Sequence, residues 1–159
     1  MKTIRRALIH VGLGLLFLGS SALSWAGERA TKEEAVAMVK KAVAYYKANG
    51  REKSLVAFSD QSGPFKDREL FLIVVDPKGV AVAHTALKKM IGANIMELKD
   101  VNGVMIIKSF FKAVEKTGAG WSDEYIFINP ATQQMEPKRT YVEKVDDLLI
   151  ACGYHYLKN

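Results

Sequence analysis

The chain has 159 residues, of which 49% are hydrophobic and 25% charged, a balance typical of one globular domain. The formal net charge of +6 includes three cations at the very start of the chain, and the mild excess that remains is spread out without a basic run interleaved with aromatic residues, so we expect no nucleic-acid partner. Its one cysteine, Cys152, excludes an internal disulfide.

Residues 1–26 have the layout of a secretory signal peptide. Three basic residues near the start precede the apolar run Ala7–Leu23 and the small-x-small site Ser24-Trp25-Ala26. An uncleaved anchor helix is the alternative, but the run is short for a span and contains three glycines. We therefore predict a periplasmic or secreted domain over residues 27–159, beginning at Gly27, which would touch the membrane only if the signal peptide stayed uncleaved.

Two helices are predicted at the start of this domain. Thr31-Lys32-Glu33-Glu34 is a capping box, in which Thr31 caps the helix and Glu34 reaches back. Apolar residues then recur at helical spacing until Asn49-Gly50, which predicts an amphipathic helix over Lys32–Ala48. A second, shorter helix is expected over Arg51–Ser59.

The middle of the chain predicts a β-hairpin and then a mixed connection. Leu70–Val75 and Val80–His84 flank Asp76-Pro77-Lys78-Gly79, a turn with Pro second and Gly last. The connection Thr85–Asp100 is expected to hold helical pieces at Ala86–Ile91 and Ile95–Leu98. A third helix is predicted over Val104–Lys116.

The last part of the chain predicts three strands, because aromatic and β-branched runs alternate there with turn residues. The runs are Trp121–Ile128, Arg139–Lys144 and Leu148–Tyr154. The whole order of elements predicts an α+β fold with a five-stranded antiparallel sheet and helices packed on it.

No motif in the sequence indicates an enzyme. The chain has no His/Cys metal-ligand pattern, no Gly-rich phosphate loop and no G-x-S-x-G or H-E-x-x-H motif, so we expect no cofactor and no metal. Cys152 lies in an apolar run, which predicts a buried and inert thiol. His155 lies three residues further on and is expected on the opposite face of a strand.

A binding site for a small carboxylate fits the residues better. Such a ligand needs one cation, two or three hydrogen-bond donors and apolar walls. Trp121 and Tyr125 are four residues apart, which puts both on one face of a continuous strand. Tyr141, Lys138 and His84 offer a phenol, an ammonium and an imidazole. The alternative interpretation is two core aromatics, a surface lysine and a strand-end histidine.

Strand alternation sets a conflict within this group of residues. Lys138 and Tyr141 are three residues apart, so both face one pocket only if Lys138 precedes the strand or lies at a bulge. Arg139 would share a face with Tyr141 and is therefore the alternative anchor for the carboxylate.

Three stretches of the sequence resemble one known family over nearly all of residues 27–159. They begin at Thr31, Gly63 and Gly118, and they include Asp76-Pro77-Lys78-Gly79 before Ala83-His84, then Gly120-Trp121 followed by Tyr125, and Lys138 followed by Tyr141-Val142. The chain resembles the single Cache domain of the second type, the extracytoplasmic sensor of bacterial chemoreceptors and kinases. Thr85 stands where this family usually has proline, and Phe71 where it commonly has tyrosine.

The resemblance implies a PAS-like sheet with a long N-terminal helix packed on it. It also implies a pocket for a small organic acid such as acetate, propionate, pyruvate or lactate. Its ligand-binding residues would be His84, Trp121, Tyr125, Lys138 and Tyr141, so the resemblance favours Lys138 over Arg139 as the anchor.

The function that the sequence predicts is therefore a carboxylate sensor or binding domain, with a role in signal transduction such as chemotaxis. The sequence up to Asn159 contains no signalling segment after the predicted domain, so we expect a membrane receptor or kinase as the partner. A homodimer is left open. Two alternatives remain: a Cache-like interaction protein without a ligand, and an enzyme acting on a small carboxylate.

Overall fold

The computed structural model describes residues 29–158. The predicted signal peptide and its cleavage before Gly27 lie outside these residues and stay predictions. Within the described range, the helices are α1 (Lys32–Asn49), α2 (Arg51–Ala57) and α3 (Ile106–Val114), with a 3-10 turn at Lys88–Met90 between α2 and α3. The strands are β1 (Lys66–Asp67), β2 (Leu70–Val75), β3 (Ala81–His84), β4 (Ala119–Trp121), β5 (Tyr125–Ile128), β6 (Met135–Val145) and β7 (Leu148–His155).

The strands form one antiparallel sheet, which confirms the predicted α+β fold. The three central strands run in the order β2, β7, β6. Both β1 and β3 pair with β2, and both β4 and β5 pair with β6. Each outer position thus holds two short strands, so residues 29–158 form seven strands where five were predicted. The strand predicted over Trp121–Ile128 is interrupted at residues 122–124.

Helix α1 covers one face of the sheet, which we call the α1 face. The predicted capping box is confirmed: the Glu34 N–H donates to Thr31 Oγ1, and the Thr31 N–H donates to the Glu34 carboxylate. The buried side of the helix packs on apolar side chains of β2 and β7, including Leu72, Ile150 and Cys152. Each such fully buried aliphatic side chain stabilises the fold by roughly 1.5–3 kcal/mol.

The opposite face of the sheet, which we call the α3 face, packs on α3 and on the connection before it. Ile73, Val142 and Ala151 of the sheet meet Ile107 and Phe110 of α3 in a second apolar cluster. The sheet is therefore buried on both faces. This agrees with the continuously apolar sequence of β2, whose six residues are all buried.

Two helical predictions in the connection between β3 and α3 need correction. The first piece, Ala86–Ile91, is only the 3-10 turn Lys88–Met90. The second, Ile95–Leu98, is a single turn closed by the Leu98 N–H, which donates to the Ile95 carbonyl, and its other backbone bonds lead elsewhere. The Ile95 N–H donates to the Gly79 carbonyl and the Met96 N–H donates to the Asn94 side chain. Apolar spacing alone could not distinguish this arrangement from a helical turn.

Cys152 is a free and fully buried cysteine on the α1 face, and burial raises the pKa of its thiol to about 12. We expect the native thiol to resist aromatic disulfide reagents and to react fully after denaturation, because the thiolate is the nucleophile. Cys152→Ala should lower the free energy of unfolding by about 1 kcal/mol. The reference is Cys152→Ala combined with Lys144→Cys, which puts one thiol at an exposed position of β6. A native Cys152 that reacts as fast as this reference would contradict the prediction.

Candidate functional site

Lys138 is a buried cation in the middle of the sheet, with 2% of its surface exposed. Its neighbours two and four residues along β6 are also buried, and Val142 belongs to the α3 cluster. Lys138 therefore points to the α3 face, since side chains alternate along a strand. The backbone pairs it with Tyr125 of β5 on one side and with His155 of β7 on the other. Directly paired residues share a face, so these three side chains lie together.

The lysine side chain passes over Gly153 of β7. A Cβ built at residue 153 would lie 2.4 Å from Lys138 Cε and 2.4 Å from Thr140 Oγ1, far inside van der Waals contact. The absence of that carbon lets the side chain cross the strand. Lys138 Nζ then lies 4.0 Å from the ring centroid of Phe71 on β2 and 5.9 Å from that of Phe127 on β5.

Lys138 Nζ has no hydrogen-bond partner among residues 29–158. Burial lowers the pKa of the ammonium group from 10.5 to about 7, against smaller opposing effects of Cys152 and Glu69. The ring face of Phe71 stabilises the cation by roughly 0.5–2 kcal/mol, but it does not replace hydrogen bonds. A buried ammonium group without an anion costs several kcal/mol. An anion bound beside Lys138 would offset this cost.

His84 is the imidazole that the sequence predicted near this lysine. Its Nδ1 accepts hydrogen bonds from the backbone N–H groups of Ala86 and Leu87, at 3.1 and 3.0 Å. The proton of the neutral ring therefore sits on Nε2, which is a donor. The ring stacks on Phe71 with centroids 5.1 Å apart. Burial, and then the charge of Lys138, lower the pKa of His84 to about 4.

Thr85, where the resemblance led us to expect proline, is part of the frame that holds His84. Its backbone N–H donates to the Leu72 carbonyl at 3.0 Å. Its hydroxyl oxygen accepts from the Leu72 N–H at 2.8 Å. A proline would remove the first bond, so this chain fastens the end of β3 with a threonine instead.

His155 belongs to this site and was not among the predicted site residues. It is 1% exposed, and neither ring nitrogen makes a well-aligned hydrogen bond within the described residues, although the nearby Ile128 backbone has a small raising effect on its pKa. Burial, and then Lys138, lower its pKa to about 3, so the ring is neutral. The sequence did contain a signal: the two-residue turn Asp146-Asp147 fixes the register of β6 on β7, and that register sets residue 155 opposite residue 138.

Tyr125 provides a buried hydroxyl beside the lysine. Its Oη lies 2.6 Å from Thr140 Oγ1, and either oxygen can be the donor. Burial raises the pKa of Tyr125, which keeps the phenol protonated. We call Phe71, His84, Tyr125, Lys138 and His155 the Lys138 cluster.

Trp121 and Tyr141, two of the predicted site residues, lie on the α1 face and not with the Lys138 cluster. Trp121 pairs with Tyr141, and their ring centroids are 5.3 Å apart. The interruption at residues 122–124 explains the difference: four steps from Trp121 to Tyr125 correspond to three steps along β6, from Tyr141 to Lys138. The extra residue reverses which face the outer strand presents.

Arg139, the alternative anchor, also lies on the α1 face. The register of β6 on β7 is continuous from Lys138 to Val145, so no bulge brings Lys138 and Tyr141 to one side. The Arg139 guanidinium donates to the Ser122 carbonyl at 3.3 Å and lies 6.0 Å from the Trp121 ring. The structure thus separates the two candidate anchors by the thickness of the sheet.

Two buried acids near the cluster are bound to the residues that precede α1. Glu136 forms a bidentate ion pair with Arg29, at 2.6 and 3.0 Å, and this lowers the pKa of the carboxyl group to about 2. Glu69 accepts a hydrogen bond from the Ala30 N–H at 2.7 Å. We call these contacts the N-terminal clasp. They tie the entry to α1 to the strand that carries Lys138.

Three other features bear on what the site can be. A cleft of about 790 Å³ lies between α3 and the β6–β7 turn, and it contains none of the predicted site residues. Residues 29–158 hold no group of three His, Cys, Asp or Glu side chains suited to a metal ion. Over the same residues, no helix combines the length and apolar character needed to span a bilayer.

Comparisons with known proteins agree with this fold. The sequence model described as Single Cache domain 2 matches residues 26–155. The fold is similar to that of a methyl-accepting chemotaxis protein from Vibrio parahaemolyticus, with a TM-score of 0.64 at 20% identity over 78% of this chain and 87% of that one.

Two further solved structures are similar. One is a periplasmic sensor domain of a chemotaxis protein, with a TM-score of 0.60 at 19% identity over 79% of this chain and 90% of that one. The other is a Cache chemosensory domain studied for carboxylic acid recognition, with a TM-score of 0.64 at 18% identity over 79% and 92%. Comparison with curated proteins finds no match.

The unpaired lysine makes a prediction about stability and pH. Between about pH 7 and 10.5 the unfolded chain holds a proton that folded Lys138 has released, so this residue makes the protein more stable as pH rises through that range. Below pH 7 its full cost is present, at about 1.4 kcal/mol for each unit by which the pKa is lowered. Lys138→Met should therefore raise the melting temperature of the ligand-free protein, most below pH 7.

The control for this measurement is Lys144→Met, which removes an exposed lysine from the same strand. Thermal unfolding of both variants from pH 5 to 10 tests the prediction. A Lys138→Met variant that is less stable than the parent at pH 6 would show that the lysine is paired in solution.

Proposed function

The chain belongs to the single Cache domain family of the second type, and from this premise we propose that it senses one small monocarboxylate, bound at the Lys138 cluster. Domains of this family are extracytoplasmic ligand sensors and not enzymes. The proposal concerns the ligand class, the residues that hold the ligand, and the periplasmic or secreted location that a cleaved signal peptide would give.

The observation that carries the proposal is the unpaired ammonium group of Lys138. Buried charges in proteins are paired, because an isolated ion loses its hydration without compensation. Here the nearest contacts of the ammonium group are aromatic rings, and His84 Nε2 and the Tyr125 hydroxyl can act as donors. A carboxylate would receive the ammonium charge together with hydrogen bonds from His84 Nε2 and the Tyr125 hydroxyl. A charge-assisted contact of this kind contributes roughly 1.5–3 kcal/mol.

The charges around the cluster favour a ligand with a single carboxylate. Arg29 is already paired with Glu136. Lys66, which pairs with Phe71 across β1 and β2, is exposed to solvent. Glu69 is the acid whose charge acts on the pKa of Lys138, and its carboxylate already accepts a hydrogen bond from the Ala30 N–H. The site therefore offers positive charge for one anionic group and would repel a second.

The walls of the site favour a short ligand. Phe71 and Phe127 border the ammonium group, and the side chains of Lys138 and Thr140 fill the space above Gly153. Apolar walls exclude water and discriminate between ligands by size, with roughly 0.8 kcal/mol for each buried methylene group. Acetate, propionate, pyruvate and lactate are the candidates. A related Cache domain studied for carboxylic acid recognition supports the class of ligand, while its 18% identity supports nothing about individual residues.

Ligand binding would reach a partner protein through α1. The N-terminal clasp joins Arg29 and Ala30 to Glu136 and Glu69, and Glu136 lies two residues from Lys138 on β6. An anion at Lys138 changes the charge balance beside these two carboxylates. A membrane receptor or kinase that contacts the start of α1 could detect that change.

Ligand titration of paired variants tests the proposal. Isothermal titration with acetate, propionate, pyruvate and lactate should show one site in the parent chain. Lys138→Met should weaken binding of the best acid roughly tenfold or more, by the usual 1.4 kcal/mol for each decade. Arg139→Met changes the adjacent residue on the opposite face and should leave the affinity within about twofold of the parent.

Lys144→Met is the neutral control for the titration, since this lysine is exposed and distant from the cluster along β6. Loss of binding in Arg139→Met with full binding in Lys138→Met would move the site to the α1 face, beside Trp121 and Tyr141. A parent chain that binds none of the four acids would overturn the proposal.

A further inference from the structure

Lys138 can act as a nucleophile as well as a cation. An amine attacks a carbonyl group only through its free lone pair, and a desolvated lysine in an apolar site keeps that lone pair free. The Lys138 amine has no protein hydrogen bond and lies against aromatic rings. Its pKa of about 7 means that a large fraction is neutral at neutral pH, unlike a surface lysine.

Resting on the carboxylate site proposed above, we propose that Lys138 captures 2-oxo acids covalently, as an imine between its Nζ and the ligand's carbonyl carbon. The domain would then distinguish 2-oxo acids, such as pyruvate, from acids of the same size without a keto group.

The chemistry of this step balances without a further reactant. The neutral amine attacks the carbonyl carbon, the C–N bond forms, and the carbonyl oxygen takes up a proton to give a carbinolamine. The C–O bond then breaks and the oxygen leaves as water. Counted from the lysine ammonium and the keto acid, the products are one iminium ion and one water molecule. Nothing is oxidised or reduced, and hydrolysis reverses the reaction.

A carboxylate next to the reacting carbonyl suits the charge of the site. The iminium nitrogen keeps one positive charge after condensation, and in a 2-oxo acid it stands beside the ligand's own carboxylate. The buried ion pair is therefore preserved, whereas a simple aldehyde would leave the cation without an anion.

The neighbours of Lys138 can assist the step through hydrogen bonds. His84 and His155 are both neutral, since burial lowers their pKa values to about 4 and about 3. His84 presents a donor at Nε2, and neither ring nitrogen of His155 makes a well-aligned hydrogen bond within the described residues. The Tyr125 hydroxyl, bonded to Thr140, is a further donor. These groups can donate hydrogen bonds to the departing oxygen, while the proton that it takes up is the one that the Lys138 ammonium group releases before it attacks.

Reductive trapping tests the inference. The full chain is incubated with pyruvate and sodium cyanoborohydride, and its intact mass is measured over time. One equivalent should add the mass of pyruvic acid less one oxygen atom, and trypsin should no longer cleave after Lys138. Lactate, which has the same carbon skeleton but no keto group, should add nothing. Excess propionate should suppress the adduct by occupying the carboxylate site.

The variants make the result specific. Lys138→Met should lose the rapid adduct, and Lys144→Met should keep it; peptide mapping of the parent gives the same answer if a variant fails to fold. An adduct confined to surface lysines, formed equally fast in Lys138→Met, would overturn the inference. If calorimetry shows that lactate and pyruvate both bind but no adduct is trapped, the inference is overturned. The carboxylate site would then still stand. Failure of both acids to bind would remove this inference, and failure of acetate and propionate as well would remove the proposed function.

Discussion

The pairing of β6 with β7 is the constraint on which the rest of the sheet depends. Eight residue pairs run without a break from Val145 and Leu148 outward, so the turn at Asp146-Asp147 decides the partner of every residue. Helices α1 and α2 hold this turn, through Tyr46 to Asp146 and Arg51 to Asp147. A slip of one residue would exchange the two faces of the strand. The buried lysine would then point towards α1, into an apolar core.

Local signals in the sequence were sufficient for most of the fold. The capping box at Thr31, the Asn49-Gly50 stop and the turn before Val80 each depend on residues within one turn of each other, so they could be recognised without tertiary information. The connection after β3 could not be predicted in this way. Several of its backbone N–H groups donate to Gly79, to Ala81 and to the Asn94 side chain, and apolar spacing does not indicate such partners.

The sequence could predict which candidate residues lie together only where the face of a residue follows from alternation along its own strand. Lys138, Tyr125 and His84 come together, but Trp121 does not, because the interruption between β4 and β5 adds one residue against β6. A resemblance between sequences assigns residue positions. It assigns the face of the sheet on which a residue lies only when both chains have the same bulges. Strand alternation alone placed Lys138 and Tyr141 on opposite sides, and the structure follows alternation. His155 was overlooked because its importance lies in the register and not in any motif.

The lack of a side chain at Gly153 has a consequence for how this domain can evolve. Lys138 and residue 153 occupy the same volume, since a single carbon on the latter would overlap Lys138 Cε. Position 153 is not free to vary alone: a lineage that gains a side chain there must first shorten residue 138, and it thereby gives up its buried charge. The reverse path needs the glycine before the lysine. The two positions should therefore be inherited as a pair, and together they decide whether a descendant keeps a cation in its sheet or fills the space with an apolar core.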